Sequence, residues 1–198
     1  MFVSVLRDFT INLTNLLKYI HILYMNISFF NEFGNYGPWI LLLLSNYLLW
    51  KKDNLLFYYN IGFFINAILN IILKGIFQQP RPSEDAKKFD IALKHGKRYL
   101  FKDGMPYDMF GMPSGHSQSS MFSSVFIYLS LQKMNILYLY LFVSFVTMAQ
   151  RVSYNYHTMF QVIVGGIIGA SFGYLVFSLA EKKMKNIIRE KPDEDGPI

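Results

Sequence analysis

The sequence predicts an all-α fold: a polytopic membrane helix bundle of about five transmembrane spans, preceded by an N-terminal amphipathic helix. Three observations carry that prediction. Apolar residues make up 53% of the 198-residue chain and aromatics 18%, against only 16% charged residues. The charges sit in short stretches between long apolar runs, and the mean hydropathy is +0.25. Lipid accepts a helix only when its faces carry little charge and its backbone is bonded internally, so this distribution belongs to a multi-span protein.

Within residues 1–30, Leu6, Phe9, Leu13, Leu16, Leu17 and Ile20 fall at three- and four-residue spacings, with Arg7, Asp8, Asn12, Asn15 and Lys18 between them. Such a helix suits the membrane interface, and a further, weakly apolar span is the alternative. The first clear span covers 37–50, with Pro38 suited to a helix start and Trp39 and Trp50 marking the two interfaces. An earlier start with a kink at Pro38 is the other reading. Lys51, Lys52 and Asp53 turn the chain into a second span over 54–73, long enough at about 1.5 Å per residue to cross the hydrocarbon layer. Further spans follow over 115–131, 135–150 and 158–180, with Lys133 at the turn between the first two.

Residues 75–112 form the one long connection, with a short helix expected over 84–94 and closed by Gly96. Long loops in compact domains are often functional. Residues 181–198 read as a charged, solvated tail, and the whole of 1–198 as one integral-membrane domain without internal repeats. The absence of cysteine excludes disulfides and thiolate metal sites. In this setting the net charge of +6 points to anionic lipid or an anionic headgroup, not to nucleic acid.

The informative residues are polar ones inside the spans, because lipid makes them costly unless they face the bundle interior. Asn66, Asn70 and Lys74 are four apart and form one stripe ending in a cation. His116, Ser120 and Ser124 repeat that spacing, and His157 and Gln161 lie one turn apart. If the spans alternate in direction, Lys74, His116, Arg151 and His157 all fall at the same membrane side and depth. The resulting cluster holds Lys74, Arg81, Arg151, two histidines and a serine, with no carboxylate anchored at those span ends. Arginine forks and a lysine point charge suit phosphate oxygens. The Pro113–Ser114–Gly115 turn opens a helix whose free N–H groups cradle anions. Two histidines supply a nucleophile and a general acid.

Three stretches give this cluster a family resemblance. KGIFQQPRP at 74–82, PSGH at 113–116, and Arg151 followed after five residues by His157 resemble, in order, the three signatures of the type 2 phosphatidic acid phosphatase (PAP2) superfamily. The resemblance covers about residues 54–175, and the wording GMPSGHSQ at 111–118 and YHT at 156–158 is most similar to the dolichyl diphosphatase branch. Two positions depart from the general pattern: Gln150 stands where a serine is usual, and Gln161 where an aspartate orients the nucleophilic histidine. A glutamine at 161 can accept an Nδ1–H bond and fix the tautomer, but it adds no charge.

The resemblance implies a mechanism. Lys74, Arg81, Ser114, the Gly115 N–H and Arg151 hold the phosphate, with Gln161 beside them. His157 attacks phosphorus to form a phosphohistidine, and His116 protonates the leaving oxygen and then activates water. No metal and no cofactor are required. The implied partners are the membrane and a lipid phosphate or diphosphate, a polyprenyl (dolichyl-type) diphosphate first. Phosphatidate or another lipid phosphate is the alternative, and a weakened lipid-phosphate binder is the reading that Gln161 motivates.

The plainer roles are as follows. His21 and His95 are interfacial residues, and Lys87, Lys88, Lys94, Lys97, Arg98 and Lys102 a solvated loop face. Gly165, Gly169 and Gly173 serve close helix packing, and Ser120 and Ser124 bond between helices. Lys51, Lys52, Lys133, Lys182, Lys183 and Lys185 lie opposite the site, which places that side in the cytoplasm and the site lumenal or external, as in the endoplasmic reticulum.

Overall fold

The structure, a computed structural model, describes residues 28–102 and 104–190. Most of the amphipathic N-terminal segment, His21 and the chain from 191 onward lie outside the described residues. The elements run α1 (28–49), α2 (Asp53–Phe77), α3 (Ala86–Lys94), β1 (Tyr99–Lys102), β2 (Met105–Asp108), α4 (Gly115–Leu131), α5 (Met134–Ser153) and α6 (Met159–Glu190).

Five of these are long helices. Three of them, α2, α5 and the Met159–Lys185 part of α6, are long and apolar enough to cross a membrane. The expected count of five spans therefore rests on three helices that meet the requirement outright. The 17 residues of α4 are rich in serine, and five of its polar side chains, Ser117, Gln118, Ser120, Ser123 and Ser124, are buried by the surrounding helices.

Three boundaries and one hairpin differ from the first expectation. Helix α1 is already helical at residue 28, the earlier start given as the other reading, so Pro38 lies inside it and Trp39 is not at its end. The proline forgoes one i→i−4 bond there. Helix α6 continues through the expected tail to Glu190, in a stretch of strong helix formers with a Glu181–Lys185 pair at 2.8 Å. The helix in the long connection begins at Ala86, where the Asp85 carboxylate caps the Lys88 N–H at 2.9 Å. The same connection also holds the antiparallel hairpin β1–β2, pairing Tyr99 with Asp108. Gly104, at φ +77°, supplies the left-handed residue of its turn.

Helix α4 is the centre of the bundle. Phe122 and Phe126 are fully buried and stack on Tyr59 of α2 at 5.8 and 5.4 Å. Phe172 and Phe177 of α6 reach the same two rings at 6.0 Å each. Polar pairs tie this core from helix to helix: Tyr59 to Ser123 at 2.8 Å, Ser45 to Tyr140 at 2.9 Å and Ser124 to Ser144 at 3.0 Å. Ser124 thus bonds between helices as expected, whereas the buried Ser120 hydroxyl has no partner. The outer faces are apolar, with Phe57, Phe64, Ile68, Phe142, Phe145 and Ile167 exposed. Polar inside and apolar outside is the arrangement lipid imposes.

The glycines of α6 explain how closely it lies on α4. A Cβ on Gly165 would come within 2.5 Å of the Ser114 carbonyl oxygen, and one on Gly173 within 2.7 Å of that of Phe122. Gly169 lies still tighter against the Gln118 backbone. Backbone cannot swing away as a side chain can. Gly169→Ala therefore overpacks the seam and costs about 1–3 kcal/mol, lowering the thermal midpoint in detergent. Gly166→Ala meets only the flexible Met148 and Met121 side chains, at 3.2 and 3.5 Å, and leaves the midpoint near wild type.

Candidate functional site

Each signature residue is held by an identifiable local device. The five residues between Arg151 and His157 form a turn that doubles back on the end of α5. The Arg151 carbonyl accepts the N–H groups of Tyr156 at 3.0 Å and His157 at 3.2 Å. Asn155 at the tip takes the left-handed conformation at φ +54°. The spacing is thus the length of chain that folds His157 back beside Arg151.

Helix α6 then begins with a capping box. Thr158 Oγ1 accepts the Gln161 N–H at 3.2 Å, and Gln161 Oε1 accepts the Thr158 N–H at 3.2 Å. The same Oε1 lies 3.3 Å from Nδ1 of His157, while Gln161 Nε2 donates to the Pro80 carbonyl at 2.9 Å. These contacts allow one amide orientation only, because a flipped amide would set N–H against N–H and oxygen against oxygen. Oε1 is therefore an acceptor, His157 carries its proton on Nδ1, and its Nε2 keeps a lone pair.

Gln161 also joins the other two signatures. Its carbonyl accepts the Ser114 N–H at 3.1 Å, at the start of α4. Gly111 packs so closely that a Cβ there would meet the Gln161 side chain at 2.6 Å. Ser114 is fully buried and accepts from the Ser117 hydroxyl at 3.0 Å, so its side chain does not cap α4. The first turn of α4 therefore has no side-chain cap from Ser114, and uncapped N–H groups at a helix start are the kind that bind anions.

His116 Nε2 meets the Asn35 carbonyl at 3.1 Å and touches Nη2 of Arg151. Arg151 is buried, donates to Asn35 Oδ1 at 2.6 Å and lies over the Tyr156 ring at 4.9 Å. Its Nε is buried without a partner among the described residues. That is an unsatisfied donor at the point where the second and third signatures meet.

The first signature is organised differently from expectation. Of the Asn66–Asn70–Lys74 stripe, the two asparagines grip Gln118: its Nε2 donates to Asn66 Oδ1 at 2.9 Å and its Oε1 accepts from Asn70 at 2.8 Å. They are helix–helix contacts. Asn70 also touches the turn before α4, and Lys74 pairs with Asp108 at 3.3 Å. The carboxylate of the site, Asp108, comes from the hairpin, outside the span ends to which the expectation is confined. Arg81 donates from Nε to the Asp108 carbonyl at 2.9 Å and stacks on Tyr107 at 4.8 Å. Arg98, expected on a solvated face, instead forks Asp108 at 3.2 and 3.1 Å. Lys87, Lys88, Lys94 and Lys97 are exposed as expected, and His95 serves the α3 C-terminus by bonding to the Ile91 carbonyl at 2.7 Å.

The structure thus brings Lys74, Arg81, Ser114, Gly115, His116, Arg151, His157 and Gln161 to one end of the bundle. Sequence reasoning missed Asn35 and Asp108, and named Gly111 and Thr158 only as motif wording without a role. The Thr158–x–x–Gln161 pattern was a visible capping-box signal. Asn35 and Asp108 left none, because they enter from elements whose packing is not encoded by periodicity.

Electrostatics follow from this geometry. Burial pushes the His157 imidazole down to about 3, helped by the charges of Arg81 and Lys74 and opposed by the Gln161 bond. Burial alone would raise Asp108, but the Arg98 bond and the Lys74 charge outweigh it and hold the carboxyl below its usual range. Among the described residues no group of three or more His, Asp or Glu side chains could hold a metal.

Comparison with known proteins is consistent across sequence and fold. Residues 55–185 match the sequence model of the PAP2 superfamily. The dolichyldiphosphatase of Saccharomyces cerevisiae is 31% identical over 177 residues, covering 83% of this chain and 66% of the yeast protein. The chloroplastic lipid phosphate phosphatase epsilon 1 of Arabidopsis thaliana is 29% identical, over 72% of this chain and 47% of its own length. The chain thus spans just under two thirds of the first relative and about half of the second. Among solved structures, LpxE of Aquifex aeolicus shares the fold with a TM-score of 0.57 at 21% identity, over 76% of this chain and 84% of that one.

A neutral buried histidine leaves a signature in acid. The unfolded chain takes up a proton near the ordinary value of 6.5, while the folded imidazole stays neutral to about 3. The unfolded state then binds more protons, so stability contributed at His157 falls as pH drops through that window. Thermal midpoints measured from pH 7 to pH 4 should fall less steeply for His157→Asn than for wild type.

Proposed function

The chain belongs to the PAP2 superfamily, and from that membership we propose that it is a membrane lipid phosphatase that hydrolyses a polyprenyl diphosphate of the dolichyl type through a phosphohistidine on His157. The observation that carries this reading is the state of His157. It is neutral, its Nδ1 proton is committed to Gln161, and its Nε2 lone pair is available as a nucleophile.

Phosphate binding falls to the groups around it. Arg151 Nε offers an unpaired donor, Lys74 and Arg81 add charge, and the α4 N-terminus offers N–H groups. Nε2 of His157 attacks phosphorus, and the bond to the lipid-side oxygen breaks. His116 gives that oxygen a proton and then takes one from the water that cleaves the phosphohistidine. A mostly apolar groove of about 300 Å³ supports a place for the substrate's lipid part: Pro38, Trp39, Phe63, Ala67 and Ile71 line it beside Asn70 and Ser119, and it ends on Gly115 and His116.

Gln161 fits this reading as a working residue. An aspartate side chain is one methylene shorter and has no N–H to give Pro80. The glutamine orients His157 and anchors the Arg81 loop together. The site end faces the lumen or exterior, opposite the lysines at 51, 52 and 133.

The purified protein should release phosphate from a polyprenyl diphosphate in EDTA, and His157→Ala should lose at least about a thousandfold of that rate. Strict metal dependence, or a His157→Ala variant that keeps its rate, would sink the mechanism. His116→Ala should lose roughly 10²–10⁴-fold with the lipid substrate. The loss should be largest with phosphatidate, whose alkoxide leaving group needs a proton, and far smaller with p-nitrophenyl phosphate, whose leaving group departs without one. A panel that includes phosphatidate ranks the substrates.

A further inference from the structure

Asp108 ends β2 at the site end of the long connection and belongs to none of the three signatures. It nevertheless engages three cations, Lys74, Arg81 and Arg98. Its Oδ2 meets Lys74 Nζ at 3.3 Å and Arg98 Nη2 at 3.1 Å, and its Oδ1 meets Arg98 Nε at 3.2 Å and the Phe110 N–H at 3.1 Å. Its main-chain carbonyl accepts Arg81 Nε at 2.9 Å.

We propose that Asp108 is a positioning residue for the phosphate site. Its carboxylate holds Lys74, its carbonyl aims Arg81, and its negative charge limits how tightly the site retains phosphate. This rests on the reading of Lys74 and Arg81 as phosphate ligands.

The argument runs through donor use. A lysine ammonium has three donors on a flexible stem. One contact to Asp108 leaves two for an anion and fixes where they point. Anchoring Arg81 by Nε leaves both Nη groups as the free end of the fork, and Tyr107 holds the guanidinium plane at 4.8 Å. A clamp that served only to pin the hairpin would need Arg98 alone, which already grips both carboxylate oxygens and the Ile71 carbonyl of α2 at 3.0 Å. The buried Lys74, which comes from α2, adds nothing to that clamp.

The charge has its own effect. A phosphate that binds Lys74 must share it with a carboxylate and is repelled by that carboxylate. Arg98 tempers this by drawing on the same two oxygens. Removing Asp108's charge should therefore tighten phosphate, and removing Arg98's should loosen it.

The test is a titration of the detergent-solubilised full chain with inorganic phosphate, read as the rise in thermal midpoint. Asp108→Asn should lower the half-saturating phosphate concentration about tenfold, and Arg98→Gln should raise it about tenfold. Opposite shifts are the result a merely structural role cannot give. Values within twofold of wild type, shifts of the same sign, or collapse of both variants would each overturn the proposal. If Asp108→Asn alone fails to fold, the direction seen in Arg98→Gln decides. Failure of the phosphatase reading looks different: the wild type binds phosphate and responds to both substitutions, yet hydrolyses no lipid phosphate.

Discussion

The contact on which the site depends is the seam between α4 and α6. Gly165, Gly169 and Gly173 are spaced by four, and they rest on the backbone at Ser114, Gln118 and Phe122, also spaced by four. Two helices in step over three contacts have their relative height set by sterics alone. The first of those contacts lies at the N-terminus of α4, next to His116, and at the first turns of α6, just past His157 and Gln161. The Ser114 N–H to Gln161 carbonyl bond at 3.1 Å is a consequence of that height. The second and third signatures are therefore brought level by residues that take no part in chemistry.

The polar interior continues the same logic. In lipid a buried amide needs a partner, and Gln118 supplies one by joining α4 to α2 through Asn66 and Asn70. Asn70 also donates to the Pro113 carbonyl at 3.2 Å, and its Oδ1 leaves only 3.0 Å for a Cβ on Gly115. The turn before α4 is thus gripped from α2 and α6 at once. Helix α1 closes the remaining side, where Gly37 and Gly34 admit Thr147 and Gln150 of α5. That approach is what lets Asn35 reach both Arg151 and His116.

This division explains what the sequence made legible. Helices longer than a membrane crossing announce themselves by composition, and α2, α4 and α5 lie within a few residues of where periodicity put them. Alternating spans forced Lys74, His116, Arg151 and His157 to one end before any coordinate was known. The hairpin was not legible, because four-residue strands in a charged loop carry no period to detect. Asp108 hid for the same reason, and Asn35 because α1 has no signature of its own. The polar stripe on α2 was legible as a stripe but not in its use. Spacing shows that Asn66 and Asn70 face inward, and only packing shows that they face a glutamine.

The placement of negative charge is the last consequence. Where an aspartate would stand behind His157, Gln161 fixes the tautomer by geometry and leaves the imidazole uncompensated. The carboxylate the structure does supply, Asp108, stands among Lys74, Arg81 and Arg98 instead. In the proposed mechanism, support for charge therefore lies with the groups proposed to face the substrate and not behind His157. A histidine attacking phosphorus in that setting would gain positive charge only as the phosphoryl group arrives, and the anion it bonds to would be its own counter-charge. On that reading the nucleophile stays neutral while the site is empty, and the arriving phosphate makes the charged state tolerable.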